Sequence, residues 1–187
     1  MRLSTKTVAY LGLLSALAIV LMFFPHFPVL SSAPFLKIDF SDVPALLASV
    51  TISPFCGVIV ELCKNLIHLA FSDTGLVGEL SNFIVGSVFA LSAGFLSKCL
   101  FPNMLMKKKL VIVLVFASLL QVTGAMLSNY FVIAPMYFGA DNAKIAEFVM
   151  YSALPFNIIK DILQAVTFYI VYRAVYPFVK KNMYLFK

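Results

Sequence analysis

The sequence predicts an all-α integral membrane protein, a compact bundle of six transmembrane helices with both termini on the cytoplasmic side. Hydrophobic residues make up 62% of the 187-residue chain. The mean hydropathy of +1.00 exceeds what a soluble core of this size can bury. Apolar runs long enough to cross a bilayer recur along the chain, and most charged residues lie at their ends.

Apolar runs bounded by proline, glycine or charge predict helices at about 7–24, 43–52, 55–71, 79–100, 109–135 and 148–176, in a single membrane domain over 1–187. The first run has no convincing small-residue cleavage site before Pro25, so we interpret it as a retained helix and not as a signal peptide. An extracellular lid loop at about 25–42 follows it.

The second helix is predicted to begin near Val43. Ser41 or Asp42 can accept hydrogen bonds from its free N–H groups, and Pro44 suits its first turn. At about ten residues this helix crosses only half of a bilayer, so it must tilt, extend or pack against its neighbours.

The charges predict the orientation, because positive residues favour the cytoplasmic side. With the N-terminus inside, the cytoplasmic ends carry ten of the fourteen Lys and Arg residues: Arg2, Lys6, Lys98, Lys107, Lys108, Lys109, Arg173, Lys180, Lys181 and Lys187. The outer loops carry six of the eight acidic residues: Asp39, Asp42, Asp73, Glu79, Asp141 and Glu147. An arrangement of six membrane helices with both termini on the cytoplasmic side gives this separation of basic and acidic residues.

Four charged residues remain inside predicted spans, where each would cost about 3 kcal/mol or more if it faced lipid. Glu61 and Lys64 are three residues apart on the third helix, so they can pair, either to lock the packing or as part of a polar site. Lys160 and Asp161 are adjacent on the sixth helix and point about 100° apart. At least one of them is expected to act across helices.

Polar residues converge in the outer half of the membrane beneath the lid loop. Glu79 and Asn82 begin the fourth helix, Asn129 lies near the outer end of the fifth, and Asn157 and Lys160 share a face of the sixth. We predict a pocket lined by amides and a cation, with aromatic walls from Phe35, Phe40, Phe83, Tyr130, Phe131 and Phe156. Alternatively, the asparagines bond neighbouring helices and the phenylalanines face lipid or core.

Small residues on the first helix suggest a contact surface. Gly12 and Ala16 form a small-x-x-x-small pair, which permits close helix approach. This surface serves either internal packing or the docking of another membrane subunit.

Nucleotide hydrolysis through a P-loop is excluded, because the chain contains no Gly-x-x-x-x-Gly-Lys-Ser/Thr motif. Asp39 and Asp42 form an acidic pair of the kind that metal-dependent membrane transferases use, which leaves such an enzyme as an alternative. No second acidic cluster with matching spacing follows, so no metal site is predicted.

Four stretches carry a family resemblance: Lys37 to Leu47, Gly57 to Asn65, Gly78 to Gly86, and Pro155 to Lys160. Together they resemble the riboflavin-specific substrate-binding (S) component of energy-coupling factor (ECF) transporters, over nearly the whole chain. The resemblance implies a plasma-membrane protein without catalytic activity or cofactor that captures riboflavin from outside. Its implied partners are a transmembrane coupling subunit and two ATPase subunits. An S component for another vitamin, such as thiamine or biotin, is the alternative.

The family's flavin contacts carry over to Asn129, Asn157 and Lys160, which the shared depth also selects. The family's docking surface carries over to Gly12 and Ala16, with glycine where the family usually has alanine. The full predicted ligand-binding set is Asp39, Phe40, Asp42, Lys64, Glu79, Asn82, Asn129, Tyr130, Asn157, Lys160 and Asp161.

Overall fold

The computed structural model describes residues 4–31, 33–100 and 106–181. Its helices are α1 (Thr5–Phe23), α2 (Asp42–Thr51), α3 (Pro54–His68), α4 (Gly75–Phe95), α5 (Met106–Ser128), α6 (Ala134–Phe138), α7 (Asn142–Phe148) and α8 (Leu154–Lys181). The predicted cytoplasmic residues Arg2 and Lys187 lie outside the described residues, as does the side chain of Lys107.

The helices suit a membrane, which confirms the coarse prediction of a helical membrane protein. Five helical segments are long and apolar enough to span it: Thr5–Phe23, Pro54–Phe71, Gly75–Lys98, Lys108–Phe138 and Asn142–Lys181. They expose large apolar side chains such as Leu13, Val20 and Phe131. Such a surface suits lipid and would be costly in water.

The ten-residue helix α2 lies at the centre of the bundle. Its residues from Asp42 to Ser49 are all buried, and it packs against α1, α3, α4 and α8. Gly57 of α3 permits this packing, because a Cβ there would lie 2.8 Å from the carbonyl oxygen of Ala45. The short helix therefore packs inside the bundle and does not need to extend.

The start of α2 corrects one prediction. Ser41 is the N-cap residue, but no side chain makes a capping hydrogen bond there. The Asp42 carboxylate bonds instead to Lys64, and Asp39 Oδ1 accepts from the backbone N–H of Ser41 at 2.8 Å. The buried lysine is the stronger partner, since hydrogen bonds between charged groups exceed those to neutral N–H groups.

The lid segment contains two short strands that the sequence analysis missed. β1 (Phe27–Pro28) pairs antiparallel with β2 (Lys37–Ile38), in the register Phe27 to Ile38 and Pro28 to Lys37. Two-residue strands are too short to show the alternation that predicts a strand. The pairing ties the two ends of the lid together above the bundle.

The ends of the later helices also differ from the prediction. α5 continues through a π-helical turn, Asn129–Ile133, into α6, and α7 continues through another, Val149–Ala153, into α8. The helix break therefore covers only residues 139–141, where Gly139 has a φ of 65° that favours glycine. Helix α4 likewise begins at Gly75, with a φ of 59°, and not at residue 79.

Candidate functional site

A cavity of about 210 Å³ lies between the lid and the ends of the helices next to it. Its polar lining includes six residues of the predicted set: Asp39, Glu79, Asn82, Asn129, Asn157 and Lys160. Phe35 and Phe156 of the predicted aromatic walls also line it, together with Phe148 and Tyr137. The cavity thus has an amide and ammonium side and an aromatic side.

Two asparagines that line the cavity are bonded to their own helices in the same way. Asn129 Nδ2 donates to the carbonyl oxygen of Ala125 at 2.8 Å, and Asn157 Nδ2 donates to that of Ala153, also at 2.8 Å. The Asn129 bond lies where α5 passes into the π-helical turn Asn129–Ile133. The Asn157 bond lies at the start of α8, just after the π-helical turn Val149–Ala153. Each NH₂ group gives one N–H to the backbone, so each amide keeps its Oδ1 acceptor and a second N–H for a bound molecule.

Lys160 lies at the wall of the cavity and is almost fully buried. Its Nζ donates to Asn82 Oδ1 at 2.7 Å. The carboxylates of Asp39 and Asp42 lie 3.9 and 3.8 Å from the same nitrogen. These distances are too long for hydrogen bonds. The carboxylates therefore offset the charge of Lys160, while the hydrogen bond to Asn82 orients its ammonium group.

A buried charge cluster lies next to this wall. Lys64, which is 0% exposed, forms ion pairs with Asp42 and with Glu61 Oε2, the latter at 3.0 Å. Gln164 Nε2 donates to Asp42 Oδ2 at 2.5 Å, and Lys64 also donates to Ser41 Oγ at 2.7 Å. The cluster joins the end of the lid to α3 and α8.

Five residues of the predicted ligand-binding set do not line the cavity: Phe40, Asp42, Lys64, Tyr130 and Asp161. Asp42 and Lys64 lie in the charge cluster. Tyr130 is 41% exposed and packs edge-on against Phe131, with ring centroids 5.0 Å apart. Asp161 is buried, and its Oδ1 has no hydrogen-bond partner within the described part of the chain.

Among the residues that the sequence analysis did not select, two contact carboxylates of the predicted set: His68 contacts Glu79, and Gln164 contacts Asp42. His68 lines the cavity, and its Nδ1 lies 2.9 Å from Glu79 Oε1. The other Glu79 oxygen, Oε2, is buried without a partner among the described residues. Gln164 could have been found from its spacing, because it follows Lys160 by one helical turn.

The lid is held to the bundle on two sides. Lys37 Nζ of β2 lies 2.8 Å from Asp73 Oδ2, in the turn between α3 and α4. Phe35 stacks on Phe148 with ring centroids 6.3 Å apart and also contacts Tyr137. Both contacts hold the lid segment against the bundle at the cavity.

The acidic pair Asp39 and Asp42 lies beside two lysine side chains. In residues 4–31, 33–100 and 106–181, no three His, Cys, Asp or Glu side chains lie close enough to hold an ion. The carboxylates instead face ammonium groups, since Asp42 pairs with Lys64 and both lie within 4 Å of Lys160.

A lidded cavity with polar and aromatic sides, inside a bundle of apolar helices, defines a multi-pass membrane protein that binds a small molecule. The chain belongs to the substrate-specific components of ECF transporters, because the model of that family matches residues 6–172. The resemblance noted in the sequence is thereby confirmed. Members of this family are components of transporters and not enzymes.

Named relatives cover nearly the whole chain. It is 38% identical to the riboflavin transporter RibU of Staphylococcus aureus, over 94% of this chain and 93% of the relative. It is 31% identical to the riboflavin transporter FmnP of Bacillus subtilis, over 96% of this chain and 97% of the relative.

Solved structures show the same architecture. The S component of a bacterial ECF transporter superposes with a TM-score of 0.77 at 37% identity, over 94% of this chain and 98% of that one. FolT bound with folic acid has a TM-score of 0.57 at 20% identity, over 89% of this chain and 93% of that one, and shares the fold alone.

Proposed function

We propose that this protein is the riboflavin-binding subunit of an ECF-type importer in the plasma membrane. The observation that carries the proposal is the cavity itself, where Asn129, Asn157 and Lys160 face an aromatic wall beneath the lid. Relatives named as riboflavin transporters, over more than nine-tenths of the chain, support the choice of ligand.

The two sides of the cavity match the two ends of a flavin. The pyrimidine edge of the isoalloxazine carries an N–H donor and carbonyl acceptors, which the Oδ1 atoms of Asn129 and Asn157 and the ammonium of Lys160 complement. The dimethylbenzene end is apolar and suits the wall around Phe35 and Phe148. The ribityl hydroxyls can bond to polar groups such as Glu79, whose Oε2 lacks a partner in the described chain.

In this proposal the protein binds its ligand stoichiometrically and catalyses no reaction, and riboflavin is cargo rather than cofactor. Riboflavin fluoresces, so its quenching measures binding directly. Titration of the purified protein is expected to quench riboflavin fluorescence with an endpoint of one flavin per protein. Absence of quenching, or tighter binding of thiamine or biotin, would contradict the choice of riboflavin.

The orientation proposed here is six membrane helices with both termini in the cytoplasm and the cavity open to the outside. Lys108, Lys109, Lys180 and Lys181 lie at the helix ends opposite the lid, which supports it through the preference of positive residues for the cytoplasmic side. The short helix α2 counts as the second of the six.

The coupling subunit is proposed to dock on α1, in a complex that also contains two ATPase subunits. Gly12 and Ala16 are exposed, and apart from the neighbouring residues of its own helix no atom of the described chain lies within 4 Å of the position that a Cβ on Gly12 would occupy. Gly12 therefore lacks the contact inside the bundle that the internal-packing alternative requires. An exposed surface of small residues is what the close approach of a partner helix needs.

Enlarging both small residues tests this surface. The double variant Gly12→Leu and Ala16→Leu is expected to bind riboflavin with unchanged affinity, because both positions face away from the bundle. It is expected to lose co-purification with the coupling subunit and ATP-driven uptake, because the added side chains hold the partner helix away. Leu17→Phe, exposed on another side of α1, is the control. Normal uptake by the double variant would rule out this surface.

The ion pair between Lys37 and Asp73 is expected to slow the release of riboflavin. Asp73→Asn should raise the dissociation rate constant about twofold, since exposed ion pairs contribute little. High salt should accelerate release in the wild type by screening the pair, and should have less effect in the variant. Stopped-flow fluorescence measures both, with Asp141→Asn as the control, because Asp141 is exposed and does not line the cavity.

The pH dependence of this ion pair follows from the pKa of Asp73. Its hydrogen bond and charge interaction with Lys37 lower that pKa below the ordinary value. The contribution of the pair is therefore complete above the ordinary pKa of about 4 and is lost as the pH falls through the lowered value. The contribution of this pair to the rate of riboflavin release should therefore stay constant between pH 6 and about 8. A change in release rate over that range in the wild type that is absent from Asp73→Asn would contradict this role.

A further inference from the structure

Asn65 lies on α3, one residue beyond Lys64, and its side chain is buried without lining the cavity. Its Nδ2 donates to the backbone oxygen of Glu61 at 2.8 Å and lies 3.5 Å from Glu61 Oε2. Both neighbours are acceptors, so this end of the amide must be the NH₂ group. The Oδ1 atom consequently faces the other way, towards α4.

Asn82 of α4 connects this amide to the cavity wall. Its Nδ2 donates to Asn65 Oδ1 at 3.1 Å, and its Oδ1 accepts from Lys160 Nζ at 2.7 Å. A carboxamide has one donor end and one acceptor end. The orientation of Asn65 therefore determines that the carbonyl end of Asn82 meets the ammonium.

The Lys160 ammonium has three N–H donors, and Asn82 takes one of them. The carboxylates of Asp39 and Asp42, at 3.9 and 3.8 Å, are beyond hydrogen-bond length. Lys160 lines the cavity, so its remaining donors can bond to acceptor oxygens of a bound molecule. Their direction depends on where Asn82 holds the nitrogen.

We propose that Asn65 is a positioning residue for the ligand: through Asn82 it fixes the Lys160 ammonium for the carbonyl or hydroxyl oxygens of the bound molecule. Asn65 itself does not touch the ligand. Without it, Asn82 Nδ2 loses its acceptor, and the Asn82 side chain is no longer held in the one rotamer that places its Oδ1 against the Lys160 ammonium. This inference rests on the proposed function, since the ligand used to test it is riboflavin.

The first measurement compares single variants by fluorescence titration. Asn65→Ala is expected to weaken riboflavin binding about fivefold, as expected when a buried hydrogen bond that orients a charged group is lost. Ser87→Ala is the control, because Ser87 is a buried polar residue of α4 whose hydroxyl has no partner in the described chain. It should bind like the wild type.

The second measurement is a double-mutant cycle, which separates positioning from general loosening of the fold. In a Lys160→Met background, Asn65→Ala is expected to weaken binding less than about twofold further, because the group that it positions is gone. Equal losses in both backgrounds would overturn the positioning role. If Lys160→Met binds too weakly to measure, Asn82→Ala is the background, with the same expectation. A wild type that does not bind riboflavin would overturn the proposed function as well, whereas a binding wild type with additive losses would overturn the positioning role alone.

Discussion

Replacing Lys64 with methionine is expected to destabilise the protein by about 3–5 kcal/mol, the usual cost of removing one partner from a buried ion pair. Lys64 is 0% exposed and pairs with both Asp42 and Glu61, which are themselves almost inaccessible. Lys160 lies near Asp42 and can offset part of its charge, but Glu61 loses the only cation paired with it in the described chain. A loss of this size is a large share of the stability of a small domain.

Thermal unfolding in detergent measures this loss. Lys144→Met is the matched control, because Lys144 forms an exposed pair with Asp141 and should unfold like the wild type. The triple variant Lys64→Met, Asp42→Asn and Glu61→Gln should recover much of the lost stability, since it leaves no unpaired charge of this cluster behind. An unchanged unfolding temperature for Lys64→Met would show that the cluster is not a stabilising ion network.

Asn157→Ala and Lys160→Ala are each expected to weaken riboflavin binding at least tenfold, or about 1.4 kcal/mol, while the fold remains intact. Both side chains line the cavity, one with an amide oxygen and one with an ammonium. Both side chains are buried, so removing either leaves a polar group of the bound flavin without its partner away from bulk solvent, which costs more than losing an exposed contact.

The two variants control for each other. Lys160 also offsets the charges of Asp39 and Asp42, so its loss affects the charge cluster as well, whereas Asn157 forms no ion pair in the described chain. Thr123→Ala, on the exposed side of α5, should bind like the wild type. Unchanged affinity in both Asn157→Ala and Lys160→Ala would remove these residues from the binding site.

Much of the architecture could be predicted because its signals are local. Apolar runs and their charged ends locate the helices, and the spacing of Glu61 and Lys64 predicts the pair that the structure shows at 3.0 Å. The 100° between Lys160 and Asp161 predicts their separation, and only Lys160 lines the cavity. The helix positions of Asn129, Asn157 and Lys160 predict a common depth, and all three line the cavity.

What could not be predicted depends on contacts between distant segments. The partner of Asp42 is Lys64, 22 residues further along, and this contact replaces the expected helix cap. The prediction places Tyr130 in the ligand-binding set beside Asn129. Adjacent residues on a helix cannot share one face, and Tyr130 is exposed. The lid strands, each two residues long, give no periodic signal.

The most direct test of the proposed riboflavin binding is the identity of the small molecule that co-purifies with the protein from cells that contain riboflavin. We expect yellow protein that releases one equivalent of a fluorescent flavin on denaturation, and a largely colourless Asn157→Ala variant from the same cells. Colourless wild-type protein that also fails to quench added riboflavin would contradict it.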